Sequence, residues 1–323
     1  MMSTRTICIM LLIILHISTS LRMVLPLIRS LDTHRLLVPS AELDRLNRRR
    51  SELLATVTTS IYQSTSSSYS SDEILSLKFQ ILQLGSALDR GQSYNPTSGE
   101  YYAEKMQFAK SKINELIGKA TTFPTALSDM NGEWELALTT VPHGIFRSSP
   151  FFLAIQEAFH IAGEPDKALL FFKLHELQTC SWGVSKVGRV AQIINATQDE
   201  MISEFDTSIF SLTVIPILGW FKLLPTFGGR VVTVSKAKYI EQDRSLSLEV
   251  DYTTSKPVKG LQGLGEFIWS IKVPVGAIWT LLPWNKGRKA TATIKIRYCD
   301  DNFRVMEDLD GELFVYTRPS FVE

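Results

Sequence analysis

The stretch NGEWELALTT, residues 131–140, decides the fold class of this 323-residue chain. Trp134, Leu136 and Leu138 alternate with Glu135 and Ala137, and a period of two residues is typical of a strand with one buried face. Before this stretch, apolar residues recur at the three- and four-residue steps of helices. After it, they mostly recur at every second residue, as in strands. We therefore place a β domain at residues 125–320, preceded by a helical region at residues 41–120.

The part of the chain after Gly188 repeats the alternating pattern. The apolar members of the two clearest strands are Leu246, Leu248, Val250 and Tyr252, and then Ala290, Ala292, Ile294, Ile296 and Tyr298. Turn sequences at Asp300-Asp301-Asn302 and Asp310-Gly311 separate the last strands, and a slip in alternation near Ser235-Lys236 predicts a bulge. Consecutive strands joined by tight turns pair antiparallel. Seven or eight such strands form either a barrel or a sandwich, and periodicity alone does not decide between them.

Several segments predict helices. Ser70-x-x-Glu73 forms a capping box at a helix start, and a further helix runs from about Glu100 to Ile117 and ends at Gly118, which suits a left-handed stop. A helical insert at residues 149–178 interrupts the strands. In it Ser149 is placed as N-cap, Pro150 stands in the first turn, and Gly163 ends the first of two helices.

The N-terminus has the composition of a two-part leader. Residues 1–20 combine Arg5, an apolar run at 7–17 and Ser18-Thr19-Ser20, which is the pattern of a signal peptide. Residues 21–40 carry three arginines against one aspartate, which is typical of a transit peptide. Together they predict two-step import into a plastid behind extra membranes. The alternative is plain secretion, with residues 21–40 as an ordinary N-terminus.

Residues 131–140 (NGEWELALTT) and residues 298–316, which contain YCDDNFRV and GELFVY, together resemble the plastid lipid-associated protein family, also called the plastid fibrillins. Residues 131–140 resemble its opening, Gly-x-Trp followed by an apolar strand that ends in Thr, and Gly-x-Trp is also the first-strand signature of lipocalins. Residues 298–305 (YCDDNFRV) and 311–316 (GELFVY) resemble its closing motif. Residues 188–195 are similar to its second strand, and residues 50–84 to its N-terminal helices.

The resemblance covers roughly residues 49–318 and is strongest at its two ends. It implies a mainly β fold with α elements, namely a lipocalin-like antiparallel β-barrel preceded by short N-terminal helices and carrying a helical insert. It also implies association with thylakoids or plastoglobules, with a part in lipid storage or photoprotection. Cys299 departs from the pattern because an aliphatic residue is expected there, and the insert is longer than usual.

The resemblance also assigns roles to individual residues. The residues expected to line or fill the barrel are Leu136, Leu138, Leu248, Val250, Tyr252, Ile294 and Ile296. A hollow barrel would bind an apolar lipid such as a carotenoid, a quinone or another prenyl lipid, and a filled one would be a scaffold. At the barrel floor, Gly132 lets the chain enter and Trp134 plugs the end. Arg304 stacks on Trp134, a contact of about 0.5–2 kcal/mol, with Arg318 as the competing candidate.

A second set of residues predicts contact with a membrane surface. Trp279 and Trp284 stand beside Lys286, Arg288 and Lys289, and indole rings flanked by cations are typical of surfaces that dock at the lipid headgroups. The alternative for this region is a buried pair of strands with a basic turn.

Composition and motifs argue against several other functions. Charge is balanced, with 34 Lys and Arg against 33 Asp and Glu, so no nucleic-acid partner is expected. His143, His160 and His175 have no metal-ligand spacing, and no phosphate loop or serine elbow is present. We therefore expect a non-enzymatic protein without metal or cofactor. Cys180 and Cys299 are either free thiols or a single bridge.

Two alternative functions stay open on the sequence. One is an adaptor that docks on a protein partner, an enzyme of plastid isoprenoid synthesis, and the other is a lipocalin-like enzyme that acts on a carotenoid. The first predicts a co-purifying protein without bound pigment, and the second predicts a polar cavity that contains acidic residues.

Overall fold

A computed structural model describes residues 71–93, 99–121, 123–142, 144–179, 185–209, 227–257, 272–281 and 287–319. The chain divides into two units, Met1–Ser68 and Tyr69–Glu323, and all described residues belong to the second. The predicted leader and the residues His143, Cys180, Trp284 and Lys286 lie outside the described residues, as does the side chain of His175.

The strands form one closed barrel. Their bounds are β1 Gly132–Thr139, β2 Ser185–Asn195, β3 Glu200–Ile209, β4 Phe227–Ile240, β5 Ser245–Lys256, β6 Thr291–Cys299, β7 Phe303–Glu307 and β8 Leu313–Thr317. Each strand pairs antiparallel with the next, and β1 pairs with β8 to close the ring, with Leu136 opposite Tyr316. Closure therefore gives each strand a hydrogen-bonded neighbour on both sides. The predicted lipocalin-like antiparallel barrel is confirmed, and the alternative of a sandwich is wrong.

Six helices accompany the barrel within the described residues. They are α1 Ser71–Ala87, α2 Glu100–Gly118, α3 Gly144–Arg147, α4 Pro150–Ile161, α5 Pro165–Thr179 and α6 Val275–Leu281. Helices α3–α5 form the helical insert between β1 and β2. Pro150 opens α4 and Gly163 follows its end with φ +74°, both as predicted. Gly118 is the last residue of α2 rather than a left-handed stop, and α6 lies where the alternative predicted a strand.

Buried side chains form two clusters, one on each side of the sheet. The outer cluster lies between α1, α2 and the outer faces of β1, β6, β7 and β8. The inner cluster combines the barrel interior with the helical insert. In β7, Phe303 and Val305 belong to the outer cluster and Met306 to the inner one. These strands are therefore buried on both faces, and the helices at residues 71–118 are part of the barrel domain's core.

Two residues that were predicted to line the barrel lie on its outside, because β-bulges reverse the alternation. An extra residue, Ala137, separates the pairs Leu136–Tyr316 and Leu138–Val315, and Leu138 joins the outer cluster. On β5 the extra residue is Asp251. Tyr252 therefore pairs with Val234 and lies on the face of the sheet opposite to Val250. A bulge shifts every later residue to the opposite face. The bulge predicted near Ser235-Lys236 is therefore present, at the register shift between Val234 and Ser235. Its extra residue, Asp251, lies on the partner strand β5.

Candidate functional site

We define the floor of the barrel as the end at which β1 begins. The mouth is the opposite end. At the floor, the fully buried Trp134 donates its indole N–H to the carbonyl of Met130 at 2.8 Å. Arg304 Cζ lies 4.7 Å from its ring centre and Arg318 Cζ lies 3.8 Å away. The stack predicted for Arg304 is present, and the competing residue Arg318 also contacts the same ring.

Gly132 brings the chain into the floor. Its φ is +98°, and a Cβ there would lie 3.0 Å from Arg318 Nη1. The backbone conformation therefore favours glycine. Arg318 itself donates to the carbonyls of Asp301 and Glu133 at 3.0 and 3.1 Å, which ties the end of β8 to the start of β1.

Arg304 differs from Arg318 in being fully enclosed. Its side chain is 0% exposed and stacks on Tyr316 with Cζ 4.9 Å from the ring centre. Nη2 donates to Gln192 Oε1 at 2.6 Å, and Gln192 Nε2 donates to the Tyr316 hydroxyl and to the carbonyl of Ser148. Burial lowers the pKa of Arg304 to about 10 and raises that of Tyr316 to about 12. At neutral pH Arg304 is a buried cation, connected through Gln192 to the insert.

The helical insert is fastened to the β7–β8 turn by a buried ionic network. Arg147 Nη2 lies 2.9 Å from Asp308 Oδ2 and 3.0 Å from Asp310 Oδ2. Gln156 donates to both carboxylates, and His160 Nε2 lies 2.9 Å from Asp310 Oδ1. Burial raises the pKa of Asp308 despite the neighbouring Arg147. None of these residues was predicted as functional, although an arginine within the apolar run at 141–159 was a detectable signal.

The remaining residues that were predicted to line the barrel pack in the inner cluster. Leu136, Leu248, Val250, Ile294 and Ile296 are all buried there. The insert contributes its own aromatic side chains to this cluster, and Phe146 forms an edge-to-face contact with Phe205 of β3 at 5.3 Å. The insert thus occupies space that a hollow barrel would leave for a ligand.

The mouth carries a cleft that brings together three of the residues predicted for membrane docking. The mouth cleft, of about 310 Å³, is lined by Ala154, Ala158, Ile161, Trp279, Arg288, Lys289 and Thr291. The Trp279 ring lies 6.2 Å from that of Phe151, so the insert and α6 form opposite walls. Lys289 pairs with Glu249 at 2.8 Å, and Ile161 is 58% exposed. A second cleft, of about 200 Å³, lies on the other side of Lys289 beside Gly276 and Ala277.

The described residues contain no group of three or more His, Cys, Asp or Glu side chains that could hold a metal ion. Within the same ranges no helix is long and apolar enough to cross a membrane. Cys299 is a buried free thiol whose pKa burial raises to about 11, so its nucleophilic thiolate form is suppressed.

Comparison with known proteins gave no relatives: the chain matches no protein-family model, no curated protein and no solved structure.

Proposed function

We propose that this protein is a non-enzymatic, lipid-associated protein of the plastid fibrillin type that docks on thylakoid or plastoglobule surfaces through the mouth of its barrel. The observation that carries the proposal is the mouth cleft, where Trp279, Arg288 and Lys289 lie beside the exposed Ile161. An indole with adjacent cations favours the headgroup region of a bilayer, and each cation near an anionic surface contributes about 1 kcal/mol.

The filled interior supports a role at the lipid surface over transport of a pigment inside the barrel. Phe146 and Phe152 of the insert pack in the same buried cluster as Leu248 and Ile294. An apolar lipid would then contact the protein at the mouth, where an acyl or prenyl chain fits between α4 and α6. In this arrangement the barrel is a rigid support for the docking surface.

Flotation with lipid vesicles tests the proposal. We expect the wild-type chain to float with vesicles that contain anionic lipid. Arg288→Glu combined with Lys289→Glu should weaken this binding at least tenfold, because two attractive charges become repulsive. Trp279→Ala should weaken binding to anionic and neutral vesicles alike, because the indole contribution does not depend on lipid charge.

The matched control lies in β6, outside the mouth cleft. Lys295→Glu combined with Arg297→Glu reverses two exposed charges that do not line the cleft. Arg297 is ion-paired with Glu307 at 3.1 Å, just as Lys289 is ion-paired with Glu249 at 2.8 Å. This control should float like the wild type. A wild type that stays unbound, or a control that loses binding as much as the mouth variant, would contradict docking through the mouth.

The adaptor function is supported by a different surface. On α1, Leu75, Phe79 and Leu82 follow one helical stripe and are 66%, 62% and 37% exposed, and on α2 Phe108 is 52% exposed. Exposed apolar stripes of this kind mark protein contacts. Phe79→Asp with Phe108→Asp should then release a co-purifying isoprenoid-pathway enzyme while leaving vesicle flotation unchanged. Loss of flotation without loss of a partner would count against the adaptor.

A further inference from the structure

The hairpin between β2 and β3, at the floor of the barrel, carries the tripeptide Asn195-Ala196-Thr197. Asn-x-Ser/Thr, with any middle residue except proline, is the acceptor sequence for N-linked glycosylation. The only other Asn-x-Ser/Thr in the sequence is Asn95-Pro96-Thr97, and its central proline excludes it. This sequence therefore contains a single acceptor, placed where a strand enters a turn.

The side chain of Asn195 faces solvent. The turn residues Thr197, Gln198 and Asp199 are exposed, and Asn195 itself is partly exposed. Asn195 is the last residue of β2 and directly follows Ile194, which packs in the inner cluster. Because successive residues of a strand point to opposite faces of the sheet, Asn195 points away from the barrel interior. A group attached to its amide therefore extends into solvent.

The contacts of the Asn195 amide lie within the turn and are compatible with an attached sugar. Nδ2 donates to Gln198 Oε1 at 2.7 Å, and Oδ1 accepts a hydrogen bond from the Thr197 hydroxyl at 2.7 Å. The amide nitrogen carries two hydrogens, and N-glycosylation replaces only one of them. The other hydrogen still serves the bond to Gln198, so the folded hairpin accommodates the modification without losing a buried contact.

We propose that Asn195 is a site of N-linked glycosylation. The proposal rests on the predicted signal peptide at residues 1–20, which brings the chain into the endoplasmic reticulum lumen where this modification is made, and it is independent of docking through the mouth. In the reaction, Asn195 Nδ2 attacks C1 of an oligosaccharide carried on a polyisoprenyl diphosphate. The Nδ2–C1 bond forms, the C1–O bond to the diphosphate breaks, Nδ2 loses one proton, and the polyisoprenyl diphosphate leaves.

The position of Asn195 keeps the glycan away from the mouth of the barrel. Its neighbour Ile194 pairs with Gly132 at the start of β1, so the glycan is attached at the floor. The mouth cleft, with Trp279 and Lys289, lies at the opposite end. An N-linked glycan is bulky and hydrophilic. Attached at the floor, it keeps that end in water and leaves the mouth open to a lipid surface.

The test is translation of the full chain with endoplasmic reticulum microsomes, followed by gel electrophoresis before and after treatment with peptide N-glycosidase. The wild type should show the mobility shift of one oligosaccharide, and the glycosidase should remove the shift and convert Asn195 to Asp. Asn195→Gln and Thr197→Ala should each abolish the shift. Thr197→Ser is the matched control, since it keeps the hydroxyl that the acceptor sequence requires, and it should keep the shift.

Pro96→Ala separates the acceptor site from the leader, because it removes the proline that excludes Asn95. It should add a second glycosidase-sensitive shift to that of the wild type. A wild type without any such shift overturns the proposal, as does a shift that persists in Asn195→Gln. If Pro96→Ala alone is shifted, the predicted signal peptide stands and only Asn195 fails, whereas if no variant is shifted both predictions fail together. Vesicle flotation of Asn195→Gln should equal that of the wild type, so a failure of mouth docking is observed separately.

Discussion

The two buried arginines of the barrel, Arg147 at the mouth and Arg304 at the floor, have opposite surroundings. Arg147 contacts two carboxylates to which Gln156 also donates, and these contacts join the insert to the β7–β8 turn. Its Cζ lies 4.8 Å from the ring centre of Phe172, and its Nε has no partner among the described residues. Arg304 contacts two aromatic rings and one amide, with two nitrogen atoms unpartnered among the described residues. Arg147 therefore has counter-ions within the fold, whereas Arg304 is stabilised by two aromatic faces and one amide oxygen.

The two acidic turns next to these arginines differ in the same way. At the floor, hydrogen bonds from Lys78 and Tyr298 outweigh the effect of burial and lower the pKa of Asp300. At the mouth, burial outweighs Arg147 and raises the pKa of Asp308. Folding therefore stabilises the carboxylate form of Asp300 and disfavours that of Asp308, each relative to the unfolded chain.

The largest effect is expected from removing the cation at the mouth. Arg147→Met should lower the free energy of unfolding by about 3–5 kcal/mol, since it leaves Asp308 buried without a counter-ion. Urea denaturation measures the change. Adding Asp308→Asn should recover part of the loss, because the buried negative charge is then removed too. If the double variant were no more stable than Arg147→Met, the ion pair would not be the source of the stability.

Arg304→Met should cost much less, about 0–2 kcal/mol in the same urea experiment. The substitution removes stacking on two rings, but it also removes a buried charge and leaves no acid unpaired. A loss as large as that of Arg147→Met would break the comparison, because it would mean that Arg304 is as structural as Arg147.

The smallest effect concerns pH at the floor turn. Because the pKa of Asp300 is lower in the folded state than in the unfolded state, its contribution is complete above the unfolded value of about 3.9 and is lost as pH falls through the folded value. Asp300→Asn should therefore reduce stability at neutral pH by about 1 kcal/mol and flatten its decline in acid. Thermal melts between neutral pH and strong acid measure both. An undiminished acid decline in the variant would assign that decline to other groups.

The ends of the barrel were predictable from local sequence. Gly132 and Trp134 mark the first strand, and the Asp300-Asp301-Asn302 and Asp310-Gly311 turns mark the last two, because turn and capping chemistry depends on residues close in sequence. Leu138 and Tyr252 were assigned to the wrong face because each follows a bulge. A bulge adds one residue to a strand without interrupting the apolar alternation of the sequence. An assignment that places every second residue on the same face is therefore wrong beyond the bulge.

The site was less predictable than the fold. The sequence pointed to Arg304 stacking on Trp134 and grouped Trp279 with Arg288 and Lys289. It did not show that Arg147 would meet Asp308, which lies 161 positions away in sequence, nor that Arg304 would meet Gln192. Contacts between distant segments depend on the strand register and on the path of the insert. Neither can be predicted from the spacing of residues within one segment.

The sequence by itself determined the fold class. Its short-range periodicity, turn residues and caps specify antiparallel strands with flanking helices, because these preferences act over a few residues. Only the tertiary structure decided that the insert fills the barrel, that helices α1 and α2 cover its outer face, and that one buried arginine has counter-ions while the other does not. These outcomes depend on which side chains meet after closure. Burial and charge pairing are properties of the packed molecule, and no local pattern contains them.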